Sequence, residues 1–304
     1  MTTTLLPDPI PALQSLGYTK REAAFLYLVA ARSGYFLRRQ FDYFIDRNKG
    51  ALVMRFIEKA NAAGHIEAID YKQGWRVYHL SSRTIYRILG DPESQLRHRK
   101  GDALIRARLM ALDYVLEHED DHFLESEADR VRFFEQQRRI TPKVFSDGDG
   151  RLGPLLGAFP ISLADRNHPG GSLIRFAFID EGLLSIGKFA RFLGTAESLL
   201  RAVGNFEVIY VAVSDFNFPA AKEVFRDRFF RSPHRSGRLF AEEVRAGAIE
   251  HRVALQPQFT TLLFEYSYPK LQGSEIRGSR EGSQNGKSSI VQVPKAQQDS
   301  KANS

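Results

Sequence analysis

The sequence predicts an α+β protein of about two domains, and three patterns carry that prediction. Near the N terminus, three stretches of helical apolar spacing are followed by two short alternating stretches around a turn. A longer helical segment comes next. Beyond residue 154, apolar strand-like runs alternate with amphipathic helical runs, which predicts a small α/β domain with a partly parallel sheet.

After an extension over residues 1–18, Thr19-Lys20-Arg21-Glu22 has the form of a capping box. Ala24, Phe25, Leu28, Val29 and Ala31 then recur at helical spacing, and Gly34 supplies a stop. A second helix fits Leu37 to Ile45, with Phe41, Phe44 and Ile45 facing inward, and Arg47-Asn48-Lys49-Gly50 is turn chemistry. A third helix fits Ala51 to Ala63. Its inward set is Leu52, Val53, Phe56, Ile57 and Ala60; Met54, Arg55, Glu58, Lys59 and Ala62 lie opposite, and Gly64 ends it. His65 to Tyr71 alternates as a strand, Lys72-Gln73-Gly74 turns, and Trp75 to Leu80 returns. Ser81 to Leu89 closes the domain as a short helix, broken at Gly90-Asp91-Pro92. Helix, helix, helix, hairpin over residues 19–92 is the order of a winged helix-turn-helix.

That order predicts binding to double-stranded DNA. The third helix is slim enough to enter a major groove about 12 Å wide. Arg55 and Lys59 would lie nearest the bases or phosphates. Arg38, Arg39, Arg47 and Lys49 would hold the backbone, and Lys72 with Arg76 would form the wing contact. The charge distribution agrees. Residues 1–118 hold 18 lysines and arginines against 12 acidic residues, whereas residues 119–270 are close to balance. Positive charge set against phosphate drives most non-specific DNA affinity. Arg97-His98-Arg99-Lys100 is the densest basic run, and Arg106 and Arg108 extend it along the next helix; it reads as a phosphate-contacting strip or as a solvated helix start. The competing expectation is a small module that binds only protein.

Composition sets limits. There is no cysteine, which removes disulfides, thiolate metal sites and cysteine nucleophiles, and which suits a reducing cytoplasm. Met1 to Pro11 has neither a basic start nor an apolar core, so no signal peptide is expected, and no run approaches the ~18 apolar residues of a membrane span. His118-Glu119-Asp120-Asp121-His122 matches a zinc-protease motif literally. Its acidic surroundings and the lack of a third ligand at a telling spacing make it a chance match. No glycine-rich phosphate loop and no nucleophile elbow occur, and no cofactor is expected.

Residues 93–145 read as a helical connector, with Leu104, Ile105, Leu109, Leu112, Val115 and Leu116 on one side of a long helix and Val131, Phe133 and Phe134 buried in another. The α/β domain spans 154–270: a strand over Ser172 to Ile179, a helix over Leu183 to Val203, a strand over Phe206 to Val213, a helix over Pro219 to Phe230 and a strand over Thr260 to Tyr268. Asp165, Asp180, Glu181 and Lys188 are the one catalytic set on offer, since metal-dependent nucleases place carboxylates at a strand end beside a lysine. Position 182 is Gly where that motif has Lys, and Pro160 is followed by Ile161 rather than Asp. Acidic residues capping a helix explain them equally. The tail over 271–304 is polar and predicted to be disordered.

With these elements in order, the chain resembles the replication-relaxation family of plasmids and mobile elements. The resemblance rests on Thr19 to Leu80, the basic stretch Arg97 to Lys100, and the strand and helix that carry Leu173 to Asp180 and Lys188. It implies DNA binding linked to replication or transfer of mobile DNA. The expected function is DNA binding in replication, transfer or transcriptional control of a bacterial chromosome or mobile element. Winged helices often dimerise, and the α/β domain could supply a homodimer interface. A nuclease and a protein-interaction adaptor are the alternatives.

Overall fold

A computed structural model of the chain describes residues 8–45, 50–71, 74–124, 126–141, 144, 160–164, 173–231, 256–264, 268 and 288–292. They form two compact units. One comprises Met1–Glu119 with Tyr268–Glu275, the other Asp120–Ser267 with Ile276–Ser304.

In the N-terminal unit, a short helix α1 (Pro9–Gln14) precedes α2 (Lys20–Arg32). The capping box at Thr19 forms as the sequence predicts. The Thr19 amide donates to the Glu22 carboxylate at 2.7 Å, and the Glu22 amide donates to the Thr19 hydroxyl at 3.3 Å. The buried stripe of α2 is Ala23, Phe25, Leu26, Val29 and Ala30, shifted by about one residue from the expected one. At Gly34 the backbone turns left-handed (φ +74°), and a Cβ there would collide with the Leu96 carbonyl oxygen, so glycine is required twice over. Next comes a strand the sequence hides, β1 (Tyr35–Leu37), followed by α3 (Arg38–Phe44), α4 (Gly50–Ala62), β2 (Ile66–Asp70), β3 (Arg76–Leu80) and α5 (Arg83–Ile88). The three strands make an antiparallel sheet in the order β1-β3-β2, with Ile66 opposite Leu80 and Phe36 opposite Tyr78.

Phe25, Phe36, Phe41 and Phe56 form the centre of this unit, with ring centroids 4.2–5.3 Å apart for Phe25–Phe36, Phe25–Phe41 and Phe41–Phe56. Such pairs add to the burial of their large areas. Val53, Phe56, Ile57 and Ala60 of α4 are buried as expected, but Leu52 is not: it is 47 % exposed. At 100° per residue, Leu52 lies about 90° from the centre of the stripe formed by Val53, Phe56, Ile57 and Ala60, and the core closes without it.

The long helix α6 (Asp102–Glu117) belongs to this same core. Leu112 and Leu116 join the aromatic cluster, and the buried Gln40 amide donates to the Leu109 carbonyl at 2.8 Å. The expected helical connector over 93–145 is therefore divided, with α6 in one unit and α7 (Glu127–Arg132) in the other. On α6, Leu104 is 45 % exposed rather than inward, and Arg106 is buried rather than part of a basic face.

The second unit holds a six-stranded sheet in chain order: β4 (His122–Phe123), β5 (Ile161–Leu163), β6 (Ile174–Asp180), β7 (Asn205–Ala212), β8 (Gln256–Phe264) and β9 (Ser288–Gln292). β6–β7 and β7–β8 are parallel and the remaining pairs antiparallel. The parallel pairs are joined through α8 (Ile186–Val203) and α9 (Phe218–Arg226). Both helices cover one face, where Phe176, Phe178, Val208 and Tyr210 meet Phe189, Phe192 and Phe225; α7 and the turn after it add Phe133 and Phe134. On the other face Asp121 takes an Arg175 ion pair at 2.6 Å and a Ser162 hydroxyl at 2.7 Å. Arg175 also pairs with Glu207 at 3.0 Å, and Glu207 accepts from Thr260. Burial alone would lower the Arg175 pKa, but the two carboxylates outweigh it and hold the guanidinium above its ordinary value. This chain of partners reaches from the residue before β4 to β8.

Strand β9 corrects the expected disordered tail over at least residues 288–292. Its Ile290-Val291 core pairs antiparallel with β8, because a β-branched dipeptide can extend an open sheet edge despite polar flanks. The remainder of 271–304 lies outside the described residues.

One buried carboxylate organises the N-terminal unit. Asp113 of α6 accepts both Arg39 guanidinium nitrogens at 2.6 and 2.7 Å and the Tyr268 hydroxyl at 2.7 Å. Asp113→Ala is expected to cost roughly 2–4 kcal/mol, below the full cost of a broken buried pair because the Arg39 side chain is 31 % exposed. Tyr268→Phe should cost about 1.5–3 kcal/mol. Urea unfolding of the full chain measures both, and a loss under about 1 kcal/mol for Asp113→Ala would contradict this role.

Candidate nucleic-acid interface

The basic residues singled out in the N-terminal unit separate into those committed to the fold and those open to a ligand. Arg39 is committed. It donates to Asp113 in a bidentate pair, and its guanidinium lies 5.2 Å from the centroid of the Tyr268 ring. Burial alone would lower its pKa, but the Asp113 charge outweighs burial and holds it above the ordinary arginine value. Arg39 therefore leaves the expected phosphate-contacting set. Lys59 leaves it too. Its ammonium pairs with Glu22 at 2.6 Å, donates to the Gly17 carbonyl at 3.2 Å and lies 5.3 Å from the Tyr18 ring, so it staples α4 to the start of α2.

Arg38, Arg55 and Arg99 remain. All three are exposed, and none makes an ion pair among the described residues. Arg38 opens α3 with a guanidinium nitrogen close to Gly50, so it lies against the N-terminal end of α4. Arg55 stands on the outward face of α4, opposite Phe56 and Ala60. Arg99 follows a 3-10 turn over Gln95–Arg97.

Two buried rings position that segment. Tyr35 of β1 donates to the His98 carbonyl at 3.3 Å and accepts the Lys100 amide at 2.9 Å. His79 of β3 stacks on Tyr35 at 4.4 Å, with its Nε2 3.3 Å from the Leu96 carbonyl. Arg97 and Lys100 are half-buried: Arg97 donates to the Pro92 carbonyl at 3.3 Å and Lys100 to Gln95 at 3.3 Å. Beside them, the Tyr71 hydroxyl at the end of β2 donates to Asp102 at 3.0 Å, and its pKa is raised by burial and by that carboxylate. The contacts of Tyr35 and His79 hold the segment that carries Arg99 beside β1 and β3.

Arg76 of that hairpin pairs with Asp70 at 2.6 Å, with both side chains largely exposed. An ion pair in water opens at little cost, so Arg76 stays available. Arg108, expected to extend the basic run, is partly buried, with its guanidinium 5.9 Å from the Tyr35 ring and its pKa lowered by burial. Arg47, Lys49 and Lys72 lie outside the described residues.

Of the catalytic set, Asp180, Glu181 and Lys188 are described, and the fold already uses Asp180. Asp180, at the end of β6, is buried and accepts the Gly182 amide at 2.9 Å, the Leu184 amide at 3.3 Å, the Tyr210 hydroxyl at 2.6 Å and the Asn217 amide at 3.2 Å. Its lone pairs are spent holding the loop after β6 to β7 and the turn before α9. Tyr210 is pushed up in pKa by burial first and by the Asp180 charge second. Glu181 is buried, Lys188 stands exposed in the first turn of α8, and Asp165 lies outside the described residues. The HExxH match also breaks: His118 ends α6 while His122 begins β4. Among the described residues, no group of three or more His, Asp or Glu is placed to hold a metal ion, and no helix is long and apolar enough to cross a membrane.

No family model, no curated protein and no solved structure matches the chain.

Asp180→Ala leaves two backbone amides, a phenol and an amide without their acceptor, and should cost about 3 kcal/mol in urea unfolding; an unchanged midpoint would remove its structural role. His79 is buried and its pKa is lowered chiefly by that burial, so the folded unit disfavours its protonated form. The unfolded chain then binds more protons as the pH falls below 6.5, and stability that is complete above that value is lost on acidification. Unfolding free energies measured from pH 7.5 to 5 should fall with a slope that His79→Gln reduces; an unchanged slope in the variant would contradict the assignment.

Proposed function

We propose that the N-terminal unit is a winged helix-turn-helix that binds double-stranded DNA, with α4 entering the major groove and the β2–β3 hairpin acting as the wing. The observation that carries this proposal is the outward face of α4. It presents Arg55 exposed and clear of any ion pair among the described residues, as are Arg38 on the neighbouring α3 and Arg99 on the segment beside β3. The element order α2-β1-α3-α4-β2-β3 supports it, as does the excess of positive charge over residues 1–118. In this arrangement Arg55 faces the bases, Arg38 and Arg99 hold phosphates, and Arg76 joins them once its exposed pair with Asp70 opens. Arg47 and Lys49, which precede α4 in the sequence, and Lys72, which falls between β2 and β3, belong to the same proposal.

On the resemblance to the replication-relaxation family, the process we propose is replication or transfer of mobile DNA, with transcriptional control in a bacterial chromosome or mobile element as the wider expectation of a winged helix-turn-helix. The protein would then act in the cytoplasm, and a homodimer through the second unit would give it two copies of α4.

The test is fluorescence anisotropy of the full chain on a mixed-sequence 20-bp duplex across a salt series. Affinity should fall steeply with salt, and Arg38→Ala with Arg99→Ala should reduce the log–log slope by about two, near one for each phosphate no longer neutralised. Salt-independent binding, or no binding, would move the protein-adaptor alternative to first place.

A further inference from the structure

The outward face of α4 carries apolar side chains that the core does not use. Leu52 is 47 % exposed and Met54 37 %, both within the first turn and a half of the helix. At 100° per residue, Ala51, Arg55 and Glu58 define the centre of that face, with Met54 on one flank and Leu52 on the other. A lone exposed apolar residue needs no explanation, but two that bracket a free guanidinium on the outward side of one helix form a pattern.

The major groove offers a matching pattern. Guanine presents O6 and N7 to a bidentate arginine, and the thymine C5-methyl is the one apolar group the base edges expose there. Glu58 on the same face would be repelled by phosphate, which suits a face turned to base edges, where it can accept from the cytosine N4 amino group. A protein partner could also cover Leu52 and Met54. The free Arg55 between them and the positive excess of residues 1–118 favour DNA.

Resting on the DNA-binding function proposed above, we infer that α4 reads a guanine flanked by thymine: Arg55 takes the guanine O6 and N7, and Leu52 and Met54 pack on thymine methyl groups. Specificity then comes from two apolar side chains as much as from the arginine. Their substitution should relax sequence preference while leaving the salt-dependent grip on phosphate intact.

The experiment uses the full chain. A randomised 20-bp duplex pool is enriched by successive rounds of binding, and the best-bound duplex is remade with uracil in place of thymine, which deletes only the methyl groups. Burial of one methyl group corresponds to about a fourfold change in affinity, so two should make the uracil duplex roughly fifteenfold weaker for the natural protein. The Leu52→Ala, Met54→Ala double variant should bind both duplexes alike and keep its salt slope on random DNA. Replacing guanine by 7-deazaguanine should weaken the natural protein about tenfold or more and Arg55→Ala much less. Equal affinity of the natural protein for the thymine and uracil duplexes, with salt-dependent binding retained, overturns the inference and leaves the DNA-binding function standing. Absence of salt-dependent binding to any duplex overturns both. A change in oligomeric state of the double variant by sedimentation, without loss of thymine–uracil discrimination, assigns the face to a second copy of the chain and also overturns the inference.

Discussion

The N-terminal unit depends on one buried carboxylate. Asp113 lies on α6, nearly sealed from water, and an isolated charge there would be costly. It is tolerated because Arg39 meets it with both guanidinium nitrogens and Tyr268 adds a hydroxyl. That arrangement locks α3 to α6 and fixes a residue from far along the chain into the same unit. The guanidiniums of Arg39 and Arg106 lie 5.2 and 5.7 Å from the Tyr268 ring, so the ring is held between two cations and a carboxylate. The unit is thus built from two stretches of sequence, and a fragment ending near residue 119 would lack Tyr268.

This constraint also sorts the basic residues. A positively charged side chain in a basic domain is open to a phosphate only if the fold has not already claimed it. The fold claims Arg39 through Asp113 and Lys59 through Glu22. It leaves Arg38, Arg55 and Arg99 exposed, and it anchors the segment that carries Arg99 to the sheet through Tyr35 and His79. Rigid placement of a few free cations is what phosphate recognition uses; their number in the sequence matters less than their freedom in the fold. The second unit shows the same economy in reverse. Its strongest catalytic candidate, Asp180, proves to be a loop anchor with four donors.

Much of the architecture was legible because its signals are local. The capping box at Thr19 and the apolar period of α4 involve residues three or four apart, and the run of alternating strands and helices beyond residue 173 is long enough to read. Strand β1 was hidden because Tyr35-Phe36-Leu37 is too short to show alternation, and β9 because two β-branched residues sit in a polar tail. The proposed surface was less legible for a different reason. Lys59 pairs with a residue 37 positions away and Arg39 with one 74 away, and no local pattern announces such partners. Leu52 was misplaced because it adjoins Val53, and only the packed core decides which of two neighbouring apolar residues faces inward.

Amide chemical-shift mapping of the isotopically labelled full chain, titrated with a 16-bp duplex at low salt, would test the proposed DNA contact directly. The largest changes should fall on the outward face of α4 (Ala51, Met54, Arg55, Glu58), on Arg38 and on the hairpin around Arg76, with Arg39 and Asp113 little affected. Changes confined to the second unit, or none on α4, would contradict α4 as the DNA-reading helix.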